Sequence, residues 1–303
     1  MRVSLGTQSE NVIAQIRRAA AQLQETQNIV STGKRITRPS DDPVGMARAL
    51  DTRSALSRLE QFHRDGIMAD TLLDAADVAL TTISDGLKKA HEIAIAAGNA
   101  ALEPEARQAY ISELRDIEDR ILDALNTRQM DRYIFAGYAT DKAPFVVSGG
   151  PNPYEYVGDN GVLSIQVYTG SAVPVSIPGN VVANTNGAAN PDVPDIFTTL
   201  RNLMNDVQNG DTAQISENIG ALDAHFSNIL HLRSEVGARI NRVEDLGYLT
   251  EDATDRLRTL LSETEDADIT QAIVDLKTQE QVYESALAVA ARIMQTSLLD
   301  WLK

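Results

Sequence analysis

The chain has 303 residues, 43% of them hydrophobic and 23% charged, with a formal charge of −16 at pH 7. That composition excludes wholesale disorder. The acidic balance argues against nucleic acid and anionic membrane surfaces, which both demand a basic face. The absence of cysteine removes disulfides, thiolate metal sites and cysteine nucleophiles together. Aromatic residues make up only 5%, so a core must come mostly from Leu, Ile, Val and Ala, which suits long helices packed side by side.

The first predicted element is a helix from about Ser9 to Val30. Val12, Ile16, Ala19, Leu23 and Val30 recur at heptad spacing and form one narrow apolar stripe. Gly33 suits a left-handed C-cap. Pro39 then disfavours helix at Arg38. Ser40, Asp41 and Asp42 are N-cap types, and Pro43 fits a first helical turn, so Pro39 to Pro43 read as a turn and helix start. From Pro43 the helix can run to Ala97, about 80 Å of rod whose stripe needs partners to bury it. Gly66 lies on that stripe, where glycine permits close approach of a neighbouring helix. Arg35, Arg38, Arg48, Arg53 and Arg58 stand among Asp41, Asp42 and Asp51 and read as a salt-laced helix face. Glu103-Pro104-Glu105 opens a further helix, with Tyr110, Leu114, Ile117, Ile121 and Leu125 on its apolar face, expected to fold back antiparallel.

From Tyr133 to about Pro194 the period changes to two. Leu163, Ile165 and Val167 alternate with polar residues, as do Val173, Val175 and Ile177, and Gly, Pro and Asn turns crowd between them. This predicts a small domain of β-hairpins, with Ala183 to Asp195 as its exit linker. Helical periodicity returns with Phe197, Leu200, Met204 and Val207. It continues in a long helix from Ile215 to Val243 and onward through Leu257 and Leu261. The last helix starts near Asp268 and carries Ile269, Ile273, Leu276, Tyr283, Leu287, Ala290, Met294, Leu298 and Trp301. The fold class is thus mainly α with a small β insert: a long antiparallel bundle or coiled coil from both chain ends and a central β-hairpin domain. The two terminal helices are expected to pair with each other, or else to wait unpaired for neighbouring subunits.

Catalytic signatures do not emerge. Walker, dinucleotide, G-x-S-x-G and H-E-x-x-H patterns are all missing. The four histidines, His63, His91, His225 and His231, are scattered and read as surface residues. Asp41 and Asp42 read as caps, and Glu263, Glu265, Asp266 and Asp268 as a solvated acidic turn without calcium-loop spacing. The expectation is no enzyme, no cofactor and no metal site. The start lacks an apolar leader core, and no stretch approaches the roughly 18 apolar residues of a membrane span. Large apolar groups at the chain ends instead mark a partner surface.

Two stretches resemble the flagellin superfamily. Gly33-Lys34-Arg35-Ile36 through Pro39-Ser40-Asp41-Asp42-Pro43 is similar to its N-terminal signature. Asp266-Ala267-Asp268-Ile269, Ser285-Ala286-Leu287 and Ser297-Leu298-Leu299 are similar to its C-terminal one, and Gly237-Ala238-Arg239-Ile240-Asn241 to its rising helix. Arg132-Tyr133-Ile134-Phe135-Ala136-Gly137, Pro144-Phe145 and Tyr156-Val157-Gly158-Asp159 resemble the branch found between hook and filament. Gln129-Met130-Asp131 departs from it, standing where a glycine-containing turn is expected. The resemblance implies a layered subunit: a terminal coiled-coil assembly layer (1–39 and 266–303), a helical rod (40–140 and 195–265) and an outward β domain (141–194). The assembly interface would be Val12, Ile16, Leu23, Val30, Ile269, Ile273, Leu276, Tyr283, Leu287, Met294, Leu298 and Trp301. Implied partners are copies of itself in a ring, flagellin on the filament side, another hook-associated protein on the hook side, and an export chaperone. The implied place is the extracellular flagellum, reached by flagellar type III export without a cleaved leader. A filament flagellin and a cytoplasmic coiled-coil adaptor are the alternatives.

Overall fold

The computed structural model describes the backbone of residues 5–98, 103–149 and 152–301, and side chains of residues 10–98, 103–149 and 152–292. The helices are α1 (Leu5–Thr32), α2 (Pro43–Ala97), α3 (Pro104–Leu125), α4 (Gly179–Val182), α5 (Ile196–Asn209), α6 (Thr212–Glu265) and α7 (Ile269–Trp301). The strands are β1 (Arg128–Gln129), β2 (Arg132–Tyr133), β3 (Phe145–Val147), β4 (Tyr154–Tyr156), β5 (Ser164–Tyr168) and β6 (Ser171–Pro174). They form two compact units, Met1–Arg58 with Ala253–Lys303 and Leu59–Asp252, and α2 and α6 contribute to both.

In the first unit, α1 packs along α7. Gly33, at φ +71°, ends α1 in the left-handed region. Asp42 caps α2, accepting the Gly45 amide at 2.9 Å. Asp41 serves the preceding loop, its Oδ2 accepting the amides of Arg38 (2.8 Å) and Thr37 (3.1 Å). Those two donors hold its carboxyl below the usual carboxylate range. Ile36 is 2% exposed and packs where a side chain at Gly45 would stand, so the glycine makes room for the anchor of this loop.

The second unit has one continuous core drawn from α2, α3, the β-hairpins, α5 and α6. Lys89 pairs with Glu113 at 3.5 Å, and Gly86 faces Ile117 and Ile121, so α3 runs back antiparallel along α2 as its pattern predicted. The strands form three separate antiparallel pairs, β1–β2, β3–β4 and β5–β6. In β5–β6, Ile165 faces Val173 across a register shift between Gln166 and Tyr168. The first hairpin turns through Met130 (φ 48°) and Asp131 (φ 62°), the left-handed geometry usually given to Asn-Gly.

The motif residues of the hairpin region meet in a knot. Tyr156 donates its hydroxyl toward the carbonyls of Asp159 (2.6 Å) and Phe135 (3.1 Å), and Asp159 accepts the Tyr138 amide at 2.8 Å. Phe145 packs tilted against Tyr156 and edge-on against Phe197, with centroids 5.3 and 5.8 Å away. Gly137, at φ +70°, lies so close to the Asp159 backbone that no Cβ fits. The segment expected to be a linker is instead an ordered loop around Asn184, which is 1% exposed. Its Nδ2 donates to the carbonyls of Asn190 (2.9 Å) and Val193 (2.8 Å), and its Oδ1 accepts the amides of Ala189 (2.9 Å) and Asn190 (2.7 Å). One buried amide thus replaces the ladder bonds that a short polar loop lacks. Among the described residues, no atom from elsewhere in the chain lies within 4 Å of where a Gly66 Cβ would stand, so none of them makes the close approach that the glycine permits.

Candidate assembly surface

The heptad stripe of α1 faces α7. Val12, Ile16, Leu23 and Val30 are half-buried and Ala19 is buried. The matching seam of α7 has the four–three spacing Ala272, Leu276, Gln279, Tyr283, Ala286 and Ala290. Leu276 and Tyr283 therefore join Val12, Ile16, Leu23 and Val30 on the inner side of the pair. Ile269, Ile273 and Leu287 do not: they remain 42%, 47% and 43% exposed. Val274, Val282 and Val289 open a further apolar face on α7. The side chains of Met294, Leu298 and Trp301 lie outside the described residues. Ala272 and Gln279 of the seam do not stand out in the sequence because small and polar residues add little to an apolar periodicity. Their spacing was nonetheless readable.

Both terminal helices are anchored at one elbow. The Lys34 strand segment bridges Asp266 antiparallel. The Arg35 amide donates to the Glu265 carbonyl at 2.7 Å, and the Ala267 amide to the Gly33 carbonyl at 2.9 Å. The Glu265 side chain, 2% exposed, accepts from Lys34 Nζ at 2.9 Å and Arg53 at 2.6 Å on a single oxygen. Burial pushes its carboxyl up, but the hydrogen bonds and charges of Lys34 and Arg53 outweigh that and hold it below the usual range. Glu265 is thus a buried clasp, which corrects the solvated acidic turn expected here. Asp268, read with that turn, instead caps α7, accepting the amides of Thr270 and Gln271 at 2.9 and 3.1 Å.

The arginine face also divides. Arg35 lies 3.7 Å from Asp42 and Arg53 reaches Glu265, whereas Arg38, Arg48 and Arg58 have no ion-pair partner among the described residues. His225 is 2% exposed, not a surface residue, and its Nε2 lies 3.2 Å from Thr199 Oγ1. Burial pushes its imidazole down to about 4, against the opposing influence of Asp195 and the Pro194 carbonyl. The signal for that site was available in the apolar spacing Leu222, Phe226, Ile229, which places residue 225 on the inner face. Among the described residues no three His, Asp or Glu side chains converge as a metal site, and no helix is long and apolar enough to cross a membrane.

Comparison with known proteins adds the family. Residues 3–140 match the bacterial flagellin N-terminal helical region, and residues 219–302 match its C-terminal helical region. The chain is 28% identical over 242 residues to flagellar hook-associated protein 3 of Escherichia coli, covering 74% of this chain and 75% of the relative. It is 24% identical over 316 residues to the protein of that name in Salmonella typhimurium, covering 99% of both. A solved hook-associated protein from Vibrio parahaemolyticus, described as putative, superposes with a TM-score of 0.68 at 20% identity. It covers 75% of this chain and all of that one, and shows the shared fold. Helices at both ends that pair across the whole chain, the elbow that joins them, and both matched regions lead to one statement: the chain belongs to the bacterial flagellin family and is a structural protein of the flagellum.

Proposed function

We propose that this chain is the subunit at the junction between the flagellar hook and filament, the role named in hook-associated protein 3. The observation that carries the reading is α7. Its inner seam is satisfied by α1, yet Ile269, Ile273 and Leu287 on one side and Val274, Val282 and Val289 on another stay exposed. A helix apolar on more than one face calls for more than one neighbour. Fully burying a Leu or Ile is worth about 1.5–3 kcal/mol, so completing these half-exposed groups contributes about 1 kcal/mol each, enough in sum to order a terminal pair against other subunits. In this reading the terminal segments (1–39 and 266–303) form the inner assembly layer, residues 40–140 and 195–265 the rod, and residues 141–194 the outward part. Its neighbours are further copies of the chain, flagellin on one side and another hook-associated protein on the other. Before export through the flagellar type III apparatus, a chaperone covers the C-terminal helix.

The test is electron microscopy of flagella from cells lacking the gene, with flagellin assayed in the medium. The expected result is hooks without filaments and flagellin shed as monomer. Intact filaments would sink the proposal. Bare hooks with no shed flagellin would make the chain the filament protein itself, and recovery of the chain only inside cells would make it an adaptor.

A further inference from the structure

The second unit carries a groove of about 150 Å³ between α2 and α6, next to Val167 of β5. Its floor holds two glycines, Gly66 of α2 and Gly247 of α6, and among the described residues neither has an atom from elsewhere in the chain within 4 Å of a would-be Cβ. Phe62, Ile67 and Val243 form apolar walls, and Asp70 and Glu244 stand at the lining. Glycine in a helix interior costs stability against any ordinary residue, so two glycines facing one open space keep that space open at a loss. Asp70 and Glu244 line it without a cation: neither has an ion-pair partner among the described residues. Burial, then the like charges of Asp74 and Glu244, push the Asp70 carboxyl up. Apolar walls with an acidic lining suit a side chain with an aliphatic stem and a cationic head.

The first unit presents that chemistry. On α2, Val44, Arg48, Ala55 and Arg58 share one face, with Asp51 between the arginines. Val44 is 63% exposed, and Arg48 and Arg58 are exposed without ion-pair partners among the described residues.

We propose that this groove receives an arginine from the Val44–Arg58 face of a second copy of the chain. Two different patches of one chain then meet, which makes a head-to-tail contact that propagates from copy to copy. The inference builds on the subunit reading above, in which copies are neighbours.

The test places a photocrosslinker, p-benzoylphenylalanine, at exposed His63 on the groove rim of the full chain. Irradiation is carried out on sheared flagella and on concentrated purified protein, and the adducts are mapped by mass spectrometry. The expected adduct joins His63's position to residues 44–58 of another copy. The paired change Asp70→Asn with Glu244→Gln should lower its yield about tenfold or more. Gly66→Leu, which fills open space and favours helix, should abolish it while leaving the melting temperature unchanged or raised. An adduct with a different protein or a different segment, or none in either sample, overturns the proposal. Failure of the subunit reading looks different: the chain would be absent from sheared flagella, and the purified sample alone would then decide the contact.

Discussion

The Glu265 clasp allows the most closely worked prediction. Glu265→Gln keeps the shape of a side chain that is 2% exposed, removes its charge and turns one acceptor oxygen into an NH2 donor. In the native elbow one carboxylate oxygen accepts from Lys34 at 2.9 Å and Arg53 at 2.6 Å. Charge-assisted bonds of this kind are each worth about 1.5–3 kcal/mol when shielded. The Lys34 and Arg53 side chains are 40% and 45% exposed, so water screens the cationic ends. That screening brings the pair down to about 2 kcal/mol in total. Hydrogen exchange should therefore speed up by about thirtyfold in the peptides spanning residues 33–36 and 264–267, while peptides of the second unit keep their protection. Exposed Glu263→Gln is the control and should change stability by less than about 0.5 kcal/mol. The pH dependence follows from the sign of the shift. The folded carboxyl lies below its ordinary value of 4.5, so its contribution is complete above about that pH and is lost as pH falls through the folded value. Wild type and variant should differ at pH 7 and converge as the pH falls below the folded carboxyl's own value. An elbow no looser in Glu265→Gln than in Glu263→Gln would refute the argument that this carboxylate holds it.

Leu287→Asp puts a charge on the outer apolar face of α7, where the side chain is 43% exposed, and should block incorporation into flagella while circular dichroism of the monomer stays unchanged. His225 lies at about 4 in the folded chain against 6.5 when free, so its stabilisation is present above pH 6.5 and lost as pH falls toward 4, about 3 kcal/mol in all. Urea titrations at pH 7 and pH 5 should show a smaller pH effect in His225→Gln than in wild type, and equal effects would contradict the burial argument. Asn184→Ala strips four hydrogen bonds from a buried loop and should cost about 3 kcal/mol in the same titration. Met130→Asn with Asp131→Gly relieves two left-handed residues and should raise the melting temperature, corresponding to about 1 kcal/mol.

Helix existence and type were legible in the sequence because they are local properties. Pro43 after two aspartates marks the first residue of α2, and Asp268 before Ile269 marks the start of α7, since capping and proline geometry act within a turn. The stripe Val12, Ile16, Leu23, Val30 identifies the face of α1 that packs, because a period of 3.5 residues keeps those positions on one side. The branch-specific residues around Phe135, Tyr156 and Asp159 could be quoted from the sequence, but their convergence in one knot could not, because it joins segments some twenty residues apart. Tertiary structure alone decided which apolar residues of α7 are inner and which are outer. A helix apolar on more than one face has no preferred side until a partner takes one, and α1 takes the side of Leu276 and Tyr283. It also decided that Glu265 and His225 are buried, and that Asn184 organises a loop. Burial of a polar group depends on what arrives from elsewhere in the chain to satisfy it: Lys34 and Arg53 for the glutamate, Thr199 for the histidine.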